Sequence, residues 1–331
     1  FSIRLIAVAL LTLLVVAVSG CGDSASDSTD AVFSADVNGN VDIYKISADS
    51  EDPIRLTAAV GVDFAPAWSP NKERIAFMSD RNGATALWVM DLEGESKRLV
   101  TTPETSVAAF RWSPDSTRIG IEVVNGGVHG ILILDTESGE SVALTSPLED
   151  VRIGAWSPDG EWVVYSANEG DASGIRRRNP TGVDEITLTV NGDSDPRWSR
   201  NGQWIAFKRE ADDGSFSLVV MDKDGENVKS VASGILAFSS FDWSPDSKQL
   251  AYVSESTGNA EIYVTGRDGK DTSQLTSNRV VDLAPLWSPD GASILFLSDG
   301  DGSFNLYGMD SSGEQQVRKT SIANLMIGAD W

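Results

Sequence analysis

The chain has 331 residues, 41% of them hydrophobic, which is enough to build a substantial core and excludes a disordered protein. Lys and Arg number 26 against 49 Asp and Glu, giving a formal net charge of -23. Such a surface repels phosphate backbones and excludes nucleic acid as a partner; the acidity itself reflects either function or a saline habitat. A single cysteine, Cys21, and a single histidine, His129, exclude an internal disulfide and a metal site built from several His or Cys side chains.

The chain opens with an apolar segment that predicts export. Residues 5–18 read LIAVALLTLLVVAV and follow the basic residue Arg4. Fourteen residues are too few to span a bilayer comfortably, but they match the apolar core of a signal peptide. We therefore expect residues 1–20 to be a signal peptide.

The apolar segment ends in Val18-Ser19-Gly20-Cys21, which resembles the lipobox of bacterial lipoproteins. The resemblance implies that Cys21 carries a diacylglyceryl group and becomes the mature N-terminus; the alternative is an ordinary cysteine near a conventional cleavage site. Residues 22–30 read GDSASDSTD and lack any large apolar residue, so residues 21–30 are expected to form the lipidated cysteine and a flexible tether. The expected location is the cell membrane or outer membrane, periplasmic or at the cell surface.

An internal repeat organises the rest of the chain. Tryptophan recurs at intervals of 42 to 45 residues, at positions 68, 112, 156, 198, 243, 287 and 331. The first six begin segments of the type WSPDGEWVVY, in which Ser-Pro-Asp-Gly is a turn sequence. Each repeat is predicted to contain four strands. In the repeat of Trp68 the first strand ends at the tryptophan, and the other three strands are residues 75–79, 87–91 and 98–101. The fourth strand recurs at 55–57, 143–145, 187–189 and 274–276.

Repeats of about 44 residues with four strands each predict an all-β fold of the β-propeller type. Residues 31–57 match the second, third and fourth strands of a repeat, and residues 321–331 supply only a first strand. The two partial units complement each other, so the C-terminal strand should close the ring and leave no sheet edge exposed. Residues 31–331 are therefore expected to form seven four-stranded blades, with six or eight as alternatives.

The WSPDG turn, the IAF-like strand and the LWVMD-like strand resemble the TolB-type, WD-like propeller repeat over residues 31–331. TolB itself is a periplasmic, partner-binding protein with an additional N-terminal domain and six blades. The segment between Cys21 and Ala31 has no room for such a domain, so the role of TolB is not carried over. The resemblance favours a monomeric module, without a cofactor, that binds an envelope protein, a glycan or a small ligand.

Acidic residues recur near the start of several first strands. Asp63, Asp193 and Asp282 each stand five residues before a repeated Trp, with Asp150 and Asp195 nearby. Carboxylates with few basic neighbours at a channel mouth would repel one another, and would bind a cation such as calcium or a basic peptide side chain. Replacing Asp63, Asp193 and Asp282 by Asn would then stabilise the fold. Alternatively, these aspartates cap turns.

Arg176, Arg177 and Arg178 interrupt the apolar pattern of a third strand. Consecutive strand residues point to both faces, so at least one guanidinium should reach a neighbouring blade and require a carboxylate there. The run is either paired internally or forms a second, basic patch for a partner.

Catalysis is the alternative function class. No GxSxG nucleophile motif is present, and one histidine cannot form the clustered-histidine metal site of the sugar-lyase propellers that this repeat resembles. A glycan-active hydrolase or lyase would have to use carboxylates alone, two of them about 5–9 Å apart in the hydrolytic case. A ligand-sensing lipoprotein would instead show a closed pocket.

Overall fold

The computed structural model describes residues 30–47, 52–102, 104–146, 149–168, 170, 173–300, 302–320 and 325–331. The signal peptide, Cys21 and most of the tether lie outside these residues. Within them the regular secondary structure consists of 28 β-strands, with no α-helix, and so no helix there could span a membrane.

Along the chain the strands form one group of three, then six groups of four, and end with a single strand. Their bounds are β1 Ala31–Val37, β2 Asn40–Ile46, β3 Ile54–Arg55, β4 Asp63–Trp68, β5 Ile75–Ser79, β6 Ala86–Met90, β7 Arg98–Leu99, β8 Ser106–Trp112, β9 Arg118–Asn125, β10 Val128–Asp135, β11 Ser141–Ala143, β12 Val151–Trp156, β13 Val163–Ala167, β14 Gly174–Arg178, β15 Glu185–Thr187, β16 Ser194–Trp198, β17 Trp204–Glu210, β18 Phe216–Asp222, β19 Lys229–Ile235, β20 Asp242–Trp243, β21 Gln249–Ser254, β22 Glu261–Gly266, β23 Ser273–Gln274, β24 Asp282–Trp287, β25 Ser293–Ser298, β26 Asn305–Asp310, β27 Val317–Arg318 and β28 Leu325–Asp330.

The turn after each repeated tryptophan is held by its own side chains. Ser157 Oγ donates to Asp159 Oδ1 at 2.5 Å, and the backbone N–H of Gly160 donates to the Ser157 carbonyl at 2.9 Å. Gly160 has φ +72°, a left-handed conformation in which a residue with a Cβ is strained. This turn leads into β13, which is buried throughout. In the repeat of Trp68 the second strand spans residues 75–79, as predicted, and is also buried throughout.

The fourth strand ends two residues earlier than the sequence predicts, at Ser141–Ala143 where residues 143–145 are expected. The cause is the recurrent threonine. Thr145 lies beyond the strand, and its Oγ1 accepts the backbone N–H of Ile131 at 2.9 Å. The same contact, across fourteen residues, is made by Thr57, Thr101, Thr189, Thr276 and Thr320. The threonine hydroxyl thus replaces a strand carbonyl as the acceptor for the third strand.

The strands pair into six antiparallel sheets. Five contain four strands, and one contains eight, because two successive groups of four are joined by the single pair Ile235↔Ser254. The all-β propeller class is confirmed, whereas the number of blades stays a prediction.

The first sheet combines the two ends of the propeller, as predicted. β28 pairs with β1, with Val32 opposite Asp330 and Phe33 opposite Ala329. The same apolar cluster contains Phe33 from the first sheet and Phe296 from the last complete one. Burial of this shared cluster contributes to the stability of the closure.

Neighbouring repeats are linked through their first strands. The indole Nε1 of one repeated tryptophan donates to the backbone oxygen just before the tryptophan of the preceding repeat, with N···O distances of 3.1 to 3.3 Å. The donors are Trp112, Trp156, Trp243 and Trp331. Asp242 and Asp330 form a different link, because their carboxylates accept the backbone N–H groups of Trp287 and Trp68, both at 2.9 Å.

Candidate functional site

The candidate site is the end of the propeller at which the first strands begin, here called the mouth face. First strands of neighbouring repeats contact one another, as β8 and β12 do, so the starting residues of these strands converge. The equivalent positions, five residues before each repeated tryptophan, are Asp63, Val107, Val151, Asp193, Phe238, Asp282 and Met326.

Two of the predicted mouth aspartates are buried and neutralised. The Arg81 guanidinium donates to both oxygens of Asp63 at 2.7 and 2.8 Å, and Ser79 Oγ donates to Asp63 Oδ1 at 2.5 Å. Arg209 holds Asp193 in the same two-point manner, with both distances 2.7 Å. The expectation of few basic neighbours is therefore wrong at these two positions, because each carboxylate has an arginine from the second strand or the turn after it.

Asp282 occupies the same register but lacks the arginine. It lies opposite Ser298 as Asp63 lies opposite Ser79, which places Gly300 where the other repeat has Arg81. Asp282 is fully buried, and its Oδ2 accepts a hydrogen bond from Asn278 Nδ2 at 2.7 Å. Burial raises the pKa of Asp282, and the carboxylate of nearby Glu261 contributes to the rise.

Asp195 lies in a compact network of charges. Lys208 Nζ is 3.2 Å from Asp195 Oδ2, and Arg197 Nε is 3.6 Å from Asp195 Oδ1. Burial alone would raise the pKa of Asp195, but Arg197, Lys208 and Arg111 outweigh it and hold the pKa at about 2. Asp195 is therefore ionised and forms ion pairs with the surrounding cations.

Asp150 belongs to a second cluster at the mouth face, which contains the single histidine. Arg152 Nη1 donates to Asp150 Oδ1 at 2.6 Å, and Arg152 Nε lies 3.6 Å from Glu122 Oε1. His129 Nδ1 is 2.6 Å from that same oxygen of Glu122. Glu122 is buried, while the other three side chains are partly exposed, and its second oxygen accepts the backbone N–H of Ile153 at 2.9 Å.

Phe238 is the exposed aromatic side chain of the mouth face. Its side chain is 55% exposed, whereas Asp63 and Asp193 at the equivalent positions are at most 2% exposed. It lies in the segment 236–241, where Lys208 Nζ donates to the carbonyls of Ala237 (3.1 Å) and Ser239. The charge network around Asp195 therefore fixes the loop that presents Phe238 to solvent.

The Arg176–Arg178 run is engaged within the propeller. Arg177 reaches the following repeat, where it contacts Asp224 Oδ1 at 3.2 Å, and it lies 4.7 Å from the Trp162 ring centroid. Arg178 donates to the Leu144 carbonyl of the preceding repeat at 2.6 Å. Arg176 and Arg178 both face Glu185. Arg177 and Arg178 thus link this strand to both neighbouring repeats, Arg176 pairs within its own sheet, and the run does not form a free basic surface.

Chemically, the mouth face offers neutralised carboxylates, one exposed aromatic ring and a His–Glu–Arg cluster. The described part of the chain contains no group of three or more Asp, Glu, His or Cys side chains placed to hold a metal ion. Sequence reasoning missed the arginine partners, the role of His129 and the exposure of Phe238. A signal for Phe238 was present, since an aromatic residue replaces the Asp, Val or Met of the other repeats at this position.

These features define an all-β propeller. Matches to the TolB beta propeller domain model cover residues 23–193, 85–241 and 195–331, and the chain belongs to this family. The Tol-Pal system protein TolB of Xanthomonas campestris pv. campestris is 36% identical over 84 residues. That match covers 24% of this chain and spans only 18% of the length of the relative.

Solved structures share the fold at low sequence identity. TolB from Acinetobacter baumannii superimposes with a TM-score of 0.59 at 18% identity, covering 73% of this chain and 62% of that one. The oligogalacturonate lyase from Vibrio parahaemolyticus gives a TM-score of 0.69 at 17% identity, covering 84% and 85% of the two chains. The scaffold is therefore one that both a TolB protein and a lyase use.

Proposed function

We propose that the chain is an exported, lipid-anchored propeller that binds a protein partner of the cell envelope through the mouth face. Membership of the TolB propeller family and the similarity to Tol-Pal system proteins support a role in protein interaction. The observation that carries the proposal is the exposed Phe238 on a loop fixed by buried charges. Rigid, exposed aromatic side chains are the usual anchors of protein interfaces, because they bury a large area with little loss of conformational entropy.

The acidic surroundings of Phe238 give the partner a charge preference. Glu210, at the end of β17, and Asp212, Asp213 and Glu255, in loops, are exposed at the same end of the repeats as Phe238. Carboxylates around an apolar centre accelerate the approach of a basic partner and add specificity more than affinity. The proposed partner is therefore a protein with a basic surface and a small apolar pocket.

Site-specific photocrosslinking tests the interface. A photoreactive phenylalanine analogue placed at Phe238 in the native host should give a discrete protein adduct. The same analogue at Val142, which is 56% exposed on an outer strand, is the matched control. With the purified partner, Phe238→Ala should weaken binding at least tenfold and Val142→Ala should not. Equal adducts at both positions, or unchanged affinity for Phe238→Ala, would refute the interface.

The lipid anchor is tested separately, since it rests on the lipobox resemblance at Cys21. Cys21→Ala should move the protein from the membrane fraction to the soluble fraction and leave its melting temperature unchanged. Mass spectrometry should find a diacylglyceryl group on Cys21 in the wild type. An unmodified Cys21 at the mature N-terminus would contradict the anchor without affecting the interface.

An enzymatic alternative rests on the second mouth cluster. The 2.6 Å contact between His129 and Glu122, next to the partly exposed Arg152, is an arrangement that could transfer a proton and hold an anionic sugar. If the protein cleaves acidic glycans, incubation with a polyuronate should release new reducing ends. Glu122→Gln should abolish this release, and Glu93→Gln, an exposed acid elsewhere, should not.

A further inference from the structure

The opposite end of the propeller, where the Ser-Pro turns lie, contains a depression that is open to solvent. Its walls are partly aromatic and partly polar. They include the indoles of Trp68, Trp287 and Trp331 and the rings of Pro70 and Pro289. The remaining walls include three charged residues, Lys72, Arg200 and Asp330.

Two of the charged residues are departures from the repeat. Arg200 stands in WSRN, where five other turns have proline after the serine. Lys72 stands where the other turns have Gly or Ser, and its φ of +59° is left-handed. A lysine at such a position is strained relative to glycine, and local rules are broken most often at functional sites. Both departures come from distant repeats, yet both line the same depression.

The electrostatics of the depression differ from those of the whole protein. In a chain with a net charge of -23, two cations converge here around one carboxylate. Lys72 Nζ lies 5.0 Å from the Trp68 ring centroid and donates to the backbone oxygen of Trp331. Burial lowers the pKa of Lys72; the carboxylate of Asp330 opposes the change, Arg200 adds to it, and Asp30 also opposes it. Two cations that disfavour each other are stabilised when an anion enters between them.

We propose that this depression binds a small organic anion with one carboxylate and a flat ring, the carboxylate held by Lys72 and Arg200 and the ring packed on the indole and proline walls. Arg200 offers the ligand carboxylate a planar pair of donors, and Lys72 offers it a compact positive charge. The indoles pack against the ligand ring and exclude water from it. This site is independent of the proposed mouth interface, since it lies at the other end of the repeats.

Asp330 gives the site a pH dependence. The groups that act on its carboxyl are Lys72, Arg200, Asp242 and the backbone N–H of Trp68. Burial raises the pKa of Asp330 to about 7, with Asp242 adding to the rise and Lys72 and Arg200 opposing it. Protonation of Asp330 removes the negative charge beside the ligand. Binding of an anion should therefore strengthen as the pH falls from 8 to 6.

The test uses benzoate as the probe and benzamide as its neutral isostere, titrated into the full chain and followed by tryptophan fluorescence and calorimetry. Benzoate should bind at least tenfold more tightly than benzamide or inorganic phosphate. Lys72→Gly and Arg200→Pro restore the residues common to the other turns, so both variants should keep or raise the melting temperature. Their affinity for benzoate should fall at least tenfold. Lys248→Met removes a cation from a turn outside the depression and should bind like the wild type.

Two further variants keep the test decisive if a turn substitution disturbs folding. Lys72→Met and Arg200→Gln remove the charges without changing backbone freedom and should show the same loss. Asp330→Asn should bind benzoate at pH 8 as tightly as the wild type does at pH 6. Equal binding of benzoate and benzamide, equal competition by phosphate, retention of binding in the charge variants, or an equal loss in Lys248→Met would each overturn the proposal.

Discussion

The carboxylate of Asp330 accepts the backbone N–H of Trp68 at 2.9 Å, joining two residues 262 positions apart in the chain. Asp330 ends the strand that closes the first sheet, and Trp68 ends the first strand of the next repeat. The bond therefore links the closing strand to the following repeat across the ring. It is one of two carboxylate links of this kind; Asp242 and Trp287 form the other in the described part of the chain.

The first prediction follows from the pKa of Asp330, which burial raises to about 7. The folded state then holds this proton more tightly than the unfolded chain does. The contribution of Asp330 to stability is complete below pH 4 and is lost as the pH rises through 7. Asp330→Asn keeps an oxygen acceptor for Trp68 and carries no charge, so it should be more stable than the wild type at pH 8.

Urea denaturation at pH 5 and pH 8 measures this difference. Each unit of pKa corresponds to about 1.4 kcal/mol, which limits the effect to a few kcal/mol. Glu93→Gln, at an exposed acid, controls for a general loss of negative charge. A free-energy difference between Asp330→Asn and the wild type that is the same at both pH values would contradict the prediction.

The second prediction concerns ring closure by β28. Deleting residues 325–331 leaves β1 as an unpaired edge and removes the acceptor for the Trp68 N–H. The melting temperature should fall by about 10 °C or more, and aggregation through the open edge should increase. Deleting residues 22–30, the expected tether, should have little effect. Calorimetric melting of the two deletions side by side decides the matter, and equal melting temperatures would rule out closure by this strand.

The third prediction concerns the pairing of Asp63 with Arg81. Asp63→Asn leaves a guanidinium, 13% exposed, without its carboxylate, so the free energy of unfolding should fall by about 2–4 kcal/mol. Replacing Asp63, Asp193 and Asp282 together should therefore destabilise the fold, opposite to the stabilisation expected from mutual repulsion. Chemical denaturation of Asp63→Asn measures the cost.

A double variant separates the pair from the packing around it. Asp63→Leu combined with Arg81→Leu leaves no unpaired charge, so it should cost less than Asp63→Leu alone. If the single and double variants lose the same free energy of unfolding, the ion pair contributes nothing and the loss comes from packing.

The fourth prediction concerns the recurrent threonine that follows the fourth strand. Thr145→Val removes the acceptor of the buried Ile131 N–H, which should cost about 1–3 kcal/mol. Thr145→Ser retains the hydroxyl and should cost less than half as much. Hydrogen exchange at Ile131 provides a local readout, since its amide should exchange faster only in the valine variant. Unchanged exchange there would show that the strand carbonyls suffice.

Much of the fold could be predicted from the sequence because the repeat carries its own boundaries. The tryptophan, the turn and the alternation after it determine where the first and second strands meet, and the partial repeats indicate how β28 completes the first sheet. The fourth strand could not be bounded in this way. The sequence pattern predicts its threonine to be part of the strand. In the structure the threonine hydroxyl instead accepts a backbone N–H of the third strand.

The candidate site was less accessible to sequence reasoning, because partners there are set by register between strands. The pairing of Asp63 with Ser79 brings Arg81 within reach, but a spacing of 18 residues carries no signal by itself. The same register in a later repeat places Gly300 near Asp282, and the carboxyl there has no such partner among the described residues. Charge counts could indicate an acidic end but could not show which acids were neutralised.

The pairing of β28 with β1 also sets an order in time for the folding of the chain. The first sheet cannot acquire its innermost strand until almost the whole chain has left the ribosome or the export channel. At usual synthesis speeds this delay is roughly 15 to 60 s. During that interval the exposed edge of β1 is free to pair with another nascent copy, so export in an unfolded state, with closure only after release, would protect the protein from domain-swapped assembly.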